Sequence, residues 1–105
     1  MRISESLFKI KKIDEMMISK FDTSFGNRVL TQFESFLSIY LESGGEEASG
    51  IDYFLSTKIL PKLTSTNFAF YKKEFDDLEK LISSSFGKEE MKESIKFIRQ
   101  LKARN

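Results

Sequence analysis

Arg28 is the residue whose type and position best suit a chemical role, because it follows Phe25, Gly26 and Asn27 at the expected start of a helix. A guanidinium stays charged at every relevant pH and presents a planar set of donors that suits phosphate oxygens. The amino end of a helix adds positive potential beside it. The pattern therefore predicts an anion contact at Arg28 or, as the plainer alternative, a solvent-exposed arginine where a helix begins.

A second set of cations lies towards the carboxyl end of the chain. They occur at helical spacing on the last predicted helix and just beyond it: Lys92, Lys96, Arg99, Lys102 and Arg104. Such a stripe can lie along a nucleic-acid backbone, so Lys92, Lys96 and Arg99 are candidate nucleic-acid contacts. Glutamates at positions 89, 90 and 93 interleave with them, which favours a solvated face with local ion pairs.

The composition excludes several kinds of catalytic site, and no catalytic residue is predicted. The chain has no His and no Cys, which removes Ser-His and Cys-His nucleophiles and leaves only carboxylates as zinc ligands. Two pairs of carboxylates are adjacent in sequence, Glu46 with Glu47 and Asp76 with Asp77. Adjacent side chains diverge on a helix, whereas paired acid and base catalysis needs carboxylates that converge in a cleft. The sequence contains no glycine-rich nucleotide loop.

Length and charge indicate the class of protein. A chain of 105 residues, 40% hydrophobic and 31% charged, has the size and composition of one globular domain. Its net charge of +1 gives no overall field that would drive it onto DNA or a membrane surface. Arg2 and Glu5 place charge where a signal peptide needs an apolar run, and no stretch approaches the roughly 20 apolar residues that span a bilayer. We therefore expect no membrane association and a cytoplasmic location.

Apolar residues recur at spacings of three and four in five segments, which predicts an all-α protein, a small bundle of about five helices. We expect residues 1–105 to form a single helical domain. Residues 1–22 would be a leading helix or linker, and residues 27–105 would form the bundle.

The boundaries of the first two helices can be predicted from the residues at their ends. The first carries its apolar face from Ile3 to Phe21 and is expected to end near Asp22. Asn27 is a suitable N-cap, so the second helix is expected to begin at Arg28. Gly44 is the expected stop, because glycine adopts the left-handed conformation without steric cost, and a flexible polar connection follows it.

The third predicted helix carries two special features. Ser49 and Asp52 have the spacing of a capping box, in which each side chain satisfies a backbone amide of the other. Pro61 falls inside the helical pattern, where it removes an amide and disfavours helical geometry at Leu60. We expect a kink or an early helix end there.

The last two helices complete the bundle. Asn67 is expected to cap the fourth helix, Phe86 and Gly87 to close it, and the fifth helix to begin near Lys88. The residues expected to face inward are Phe68, Tyr71, Phe75, Leu78 and Ile82 on the fourth helix and Met91, Ile95, Ile98 and Leu101 on the fifth. Phe70 and Phe97 lie off these apolar stripes.

Four stretches in order carry a resemblance to a known family. They are residues 25–30 (FGNRVL), 33–36 (FESF), 44–45 (GG) and 51–63 (IDYFLSTKILPKL). From Ser24 to Leu63 the chain resembles the small C-terminal helical lid of McrB-like AAA+ NTPases. Those proteins are the motor subunits of modification-dependent restriction systems and related prokaryotic defence proteins.

The resemblance implies a role for Arg28 and a set of partners. Arg28 matches the sensor 2 arginine, which reaches from the lid to the phosphates of bound nucleotide and couples hydrolysis to lid movement. The implied partner is an AAA+ core domain, in cis or in trans, in a parent that could assemble as a homo-oligomer and could bind nucleic acid. The chain alone would bind no cofactor and hydrolyse nothing, because ATP or GTP with Mg would be held by the core domain.

Two other functions stay open at this point. The chain could be a free-standing helical module that binds a protein through Phe70, Phe97 or the last helix. It could also bind nucleic acid through Lys92, Lys96 and Arg99, in which case affinity would fall steeply with salt.

Overall fold

The structure is a computed structural model that describes residues 2–65 and 72–103, with side chains described for 3–64 and 72–103. Five α-helices follow one another: α1 (Arg2–Phe21), α2 (Gly26–Glu42), α3 (Glu47–Phe54), α4 (Lys72–Phe86) and α5 (Lys92–Ala103). A π-helical turn (Leu55–Ile59) and a 3-10 helix (Leu60–Ser65) continue α3. The predicted all-α bundle is confirmed. The predictions for Asn67, Phe68, Phe70, Tyr71 and Arg104 lie outside the described residues.

The apolar stripe predicted for α1 is buried from Ile10 onwards, whereas Ile3 and Leu7 at its start are half-buried. Ile10, Ile13 and Met17 are fully buried, and Phe21 contacts Phe75 of α4 with ring centroids 4.9 Å apart. The helix ends where Asp22 adopts a positive φ of 52°. α1 therefore packs into the same core as α2 and α4.

The start of α2 differs from the prediction. The helix begins at Gly26, two residues before Arg28, and Asn27 lies within its first turn instead of capping it. The reason is a tertiary contact: the Asp14 carboxylate of α1 accepts hydrogen bonds from the Phe25 amide (3.1 Å) and the Ser24 hydroxyl (3.3 Å). The Ser24 hydroxyl in turn accepts from the Gly26 amide at 3.1 Å. Phe25, which no sequence pattern marked as core, is buried.

The end of α2 confirms the role predicted for Gly44. This glycine has a φ of 92°, and its amide donates to the Leu41 carbonyl while the Gly45 amide donates to the Tyr40 carbonyl. These two bonds are those of a Schellman motif, which satisfies carbonyls left unpaired at a helix end. A Cβ on Gly45 would collide with the Tyr40 ring, so the second glycine is needed for close packing. The connection is a hydrogen-bonded turn and not the flexible linker that the sequence suggested.

The segment before Pro61 is irregular, but the irregularity begins earlier than predicted. The α-helix ends at Phe54, and the Leu60 amide bonds the Leu55 carbonyl, five residues back. Such a wide turn relieves the clash that a proline ring makes with an α-helical carbonyl four residues before it. The expected early end of the α-helix is present, although Leu60 itself keeps the helical dihedral angles (φ −63°, ψ −32°) that a following proline disfavours.

The final two helices pack across the first three. Gly87 (φ 96°) ends α4 as predicted. α5 begins at Lys92, four residues after the predicted start, because a residue distant in sequence caps it, as described below. Its predicted inward residues Met91, Ile95, Ile98 and Leu101 are all buried. α5 contacts α3, α4 and the irregular segment between them.

The core is one connected cluster of apolar side chains drawn from every helix. None of the helices in the described ranges is long and apolar enough to cross a membrane.

Candidate functional site

Arg28 is the third residue of α2 and is exposed to solvent. Within residues 2–65 and 72–103 its side chain makes no hydrogen bond or ion pair, and the first turn of α2 holds no acidic residue, its Gly26 amide bonding the Ser24 hydroxyl. A guanidinium without a partner remains available to an external anion. The structure therefore brings together an exposed cation and a helix start without an acidic residue at the position that the sequence singled out.

The backbone that carries Arg28 is held firmly against α1. The hydrogen bonds from Phe25 and Ser24 to Asp14 fix the two residues before α2, and the Phe25 side chain is buried in the core. Gly26 has a φ of 79°, which a residue with a side chain rarely adopts. Space around the Gly26 Cα is open, so backbone conformation, not crowding, favours glycine there.

The chemistry available at Arg28 is a single charged contact. A guanidinium can donate two hydrogen bonds to one phosphate, but it neither holds a metal ion nor activates water. No group of three or more metal-ligating side chains occurs in the described part of the chain. The site can thus supply one charged contact to an anion.

Asp52 caps a helix, but not the one that the capping box predicted. Its carboxylate is buried and accepts hydrogen bonds from the Glu93 amide (3.0 Å), the Ser94 amide (2.8 Å) and the Ser94 hydroxyl (2.6 Å). These amides belong to the first turn of α5. Ser49 is exposed and lies within α3, which begins at Glu47, so the predicted pairing of Ser49 with Asp52 was wrong.

This junction leaves Asp52 no capacity for catalysis. Both carboxylate oxygens are occupied by donors of α5, and Ser94 is fully buried beside them. The capping-box prediction was wrong because Asp52 has better donors in the first amides of α5, which lie 41 and 42 residues later in the chain.

The basic stripe is exposed, as predicted, but its ion pairs run between helices. Arg99 donates to Glu79 of α4 at 3.0 Å, whereas Lys92 and Lys96 have no partner in the described ranges. Ion pairs with glutamates 89, 90 and 93 are likewise missing from that part of the chain. The expectation of local pairing was therefore wrong, and two of the three candidate contacts remain free.

Glu79 also accepts from Lys102, which reaches Asp76 as well (3.2 and 2.6 Å). Burial raises the pKa of Glu79, but hydrogen bonds from Arg99 and Lys102 outweigh burial and hold that pKa below its ordinary value. The hydrogen bond to Asp76 raises the pKa of Lys102. These four residues tie the second half of α5 to α4.

The adjacent carboxylates have different partners, which agrees with the prediction that they diverge. Asp76 pairs with Lys102, whereas Asp77 pairs with Lys73 of its own helix and Lys20 of α1. Glu47 accepts from the buried Ser6 hydroxyl at 2.7 Å. These partners give the carboxylates structural roles.

Several apolar side chains lie on the surface. Phe8, Ile18, Ile39 and Tyr53 are between 48% and 64% exposed, and Phe97 is half-buried. Their only sequence signal was a position off the apolar stripe of each helix. Tyr53 and Tyr40 both stack on Phe36, with ring centroids 5.7 and 5.5 Å away.

The comparisons with known proteins give one family. The model of a domain of unknown function, DUF8727, matches residues 2–105, and the chain belongs to this family. The comparison with curated proteins and the comparison with solved structures each found no match.

Proposed function

We propose that this member of the DUF8727 family acts as the C-terminal helical lid of a McrB-like AAA+ NTPase, with Arg28 contacting a phosphate of the nucleotide. The observation that carries the proposal is the exposed guanidinium of Arg28, which has no partner in the described residues and lies in a first turn of α2 without an acidic residue. An arginine placed only for stability would gain from a carboxylate neighbour, as Arg99 does from Glu79.

The anchored backbone supports a coupling role. Because Asp14 of α1 holds the residues before α2, a force on Arg28 is transmitted to two helices and through Phe25 to the core. A lid that must move as one body when a phosphate leaves requires such a connection.

The stretch from Lys58 to Leu63 lies within the part of the chain that resembles the lid, and its apolar residues have a structural role. Ile59, Leu60 and Leu63 are fully buried, while Lys58 and Lys62 are exposed. These apolar side chains fix the irregular segment in the core on which α5 packs.

The chemistry of this proposal is divided between two domains. The AAA+ core domain, in cis or in trans, would bind ATP or GTP with Mg²⁺ and supply the attacking water. The present chain would contribute the positive charge of Arg28. The attraction between this charge and the γ-phosphate would strengthen as negative charge develops there in the transition state. The isolated chain is accordingly expected to hydrolyse neither nucleotide.

The test is nucleoside triphosphate hydrolysis by the complete polypeptide or complex that carries this domain. Arg28→Ala is expected to lower kcat by about tenfold or more, the equivalent of about 1.4 kcal/mol of transition-state stabilisation. Lys58→Ala, which removes an exposed cation elsewhere on the surface, is the matched control and should leave kcat unchanged.

Two results would overturn the proposal. One is unchanged hydrolysis in Arg28→Ala, with the lid folded as judged by circular dichroism. The other is hydrolysis by the isolated chain that disappears in the same variant, since a lid has no catalytic site of its own.

A further inference from the structure

A groove runs along the outer surface of α5 and the turn before it. Its cavity volume is about 500 Å³, and its described lining includes Lys88, Lys92, Lys96, Arg99 and Glu89 around the edge of the nearly buried Ile95. Lys92 and Lys96 are four residues apart and therefore about 6 Å apart along the helix axis. Four cations and one carboxylate thus line the groove, and since Ile95 is only 5% exposed, the stems of the lysines supply much of its apolar floor.

The charges of this groove are not explained by the stability of the helix. Lys92 is the first residue of α5, where the helix dipole disfavours a cation. Asp52 already satisfies the amides of this end from the interior. Lys92 and Lys96 have no ion partner in the described ranges, and only Arg99 is held by a carboxylate, that of Glu79.

We propose that this groove binds an acidic amphipathic segment of a partner protein. Glutamates four residues apart on a helical segment match the spacing of Lys92 and Lys96, and an apolar side chain between them meets Ile95 and the lysine stems. The inference is independent of the lid function, because it uses no residue of the α2 end.

The apolar floor favours a protein segment over nucleic acid. A phosphate backbone offers no apolar side chain to cover such a floor, whereas an amphipathic segment carries apolar side chains beside its carboxylates. The net charge of +1 also provides no long-range attraction for a polyanion, whereas a short acidic segment needs only the local charges.

The probe is a synthetic helical peptide with glutamate at every fourth position and leucines beside the glutamates, labelled for fluorescence anisotropy. We expect Lys92→Glu combined with Lys96→Glu to weaken binding by about tenfold or more. Lys58→Glu combined with Lys62→Glu makes the same charge change at the same spacing on an exposed part of the irregular segment, and it should change binding less than about twofold. A peptide with lysine in place of glutamate should bind the Lys92 and Lys96 variant better than the wild-type chain.

Three outcomes would overturn the inference. Equal loss of binding in the two double variants would mean that the overall charge, not the groove, attracts the peptide. Equal binding by a peptide with serine in place of leucine would show that the apolar floor does not contribute to recognition. Tighter binding of a thymidine oligonucleotide than of the peptide, with a steep salt dependence, would assign the stripe to nucleic acid instead.

Discussion

The amino ends of α2 and α5 begin in opposite ways. α5 begins at a buried carboxylate, because Asp52 accepts from two of its amides and from the Ser94 hydroxyl. α2 begins with no carboxylate on the amides of its first turn, where only the Ser24 hydroxyl bonds the Gly26 amide in the described residues, and it carries the exposed Arg28. Both ends have the same intrinsic attraction for an anion.

This difference predicts that the start of α5 serves stability, whereas the start of α2 serves binding. At α5 the anion is the Asp52 carboxylate of the same chain, so the attraction holds α3 and α5 together. At α2 the internal carboxylate, Asp14, binds the backbone just before the helix and leaves Arg28 free. We therefore expect substitutions at the α5 end to affect folding, and substitutions at the α2 end to affect interaction with a partner.

The largest expected effect is that of Asp52→Ala. It leaves buried donors of Glu93 and Ser94 unpaired, and we expect the free energy of unfolding to fall by about 3 kcal/mol. Urea unfolding followed by circular dichroism measures this loss. Glu34→Ala on the exposed face of α2 is the control and should stay within about 0.5 kcal/mol of the wild type. A loss below about 1 kcal/mol for Asp52→Ala would contradict the proposed difference between the two helix ends, because the α5 end would then contribute little to stability.

A smaller, pH-dependent effect is expected at Glu79, which holds the second half of α5. Its pKa in the folded chain lies below the ordinary 4.5, so its stabilising contribution is present above that pH and is lost as pH falls through the folded pKa. Glu79→Gln should therefore flatten the decline of stability below about pH 4.5 and cost less than about 1 kcal/mol at neutral pH.

Urea unfolding repeated from pH 7 down to pH 3 measures the effect of Glu79→Gln, with Glu34→Gln as the matched exposed control. If Glu79→Gln destabilises as much as Asp52→Ala at neutral pH, then α5 is held mainly by its surface charges, and the buried junction is not the dominant one.

The smallest effect is expected for Arg28→Ala in the isolated chain. An exposed side chain without a partner contributes little to folding, so the free energy of unfolding should change by less than about 0.5 kcal/mol. The same urea experiment measures it. Destabilisation by more than about 1 kcal/mol would give Arg28 a structural role and weaken its assignment to a phosphate.

Local patterns predicted the parts of the fold that depend on neighbouring residues. The apolar stripes of α1 and α5 follow directly from a helical period, and the stop at Gly44 follows from its left-handed conformation. These features need no knowledge of what the helix packs against.

The errors arose where a distant residue offered a better interaction than a near one. Asp52 had a plausible local partner in Ser49 but bonds α5, and Asn27 could have capped α2 but was displaced by the contact of Asp14 with Phe25. For the candidate sites, the exposure of Arg28 and the basic stripe followed from position alone. The groove did not, because the contribution of Ile95 and Lys88 to it depends on tertiary packing.

The wide turn at Leu55–Ile59 has a consequence for how this chain tolerates change. A π-helical turn contains one residue more than the α-helical turn that it replaces, so deleting one residue here would return the backbone to α-helical pairing and leave the rotation of the following residues nearly unchanged. Leu60 and Leu63 would stay on the buried face, but the Pro61 ring would then meet the α-helical carbonyl four residues before it. In this segment a one-residue deletion should therefore be tolerated only when Pro61 is replaced as well.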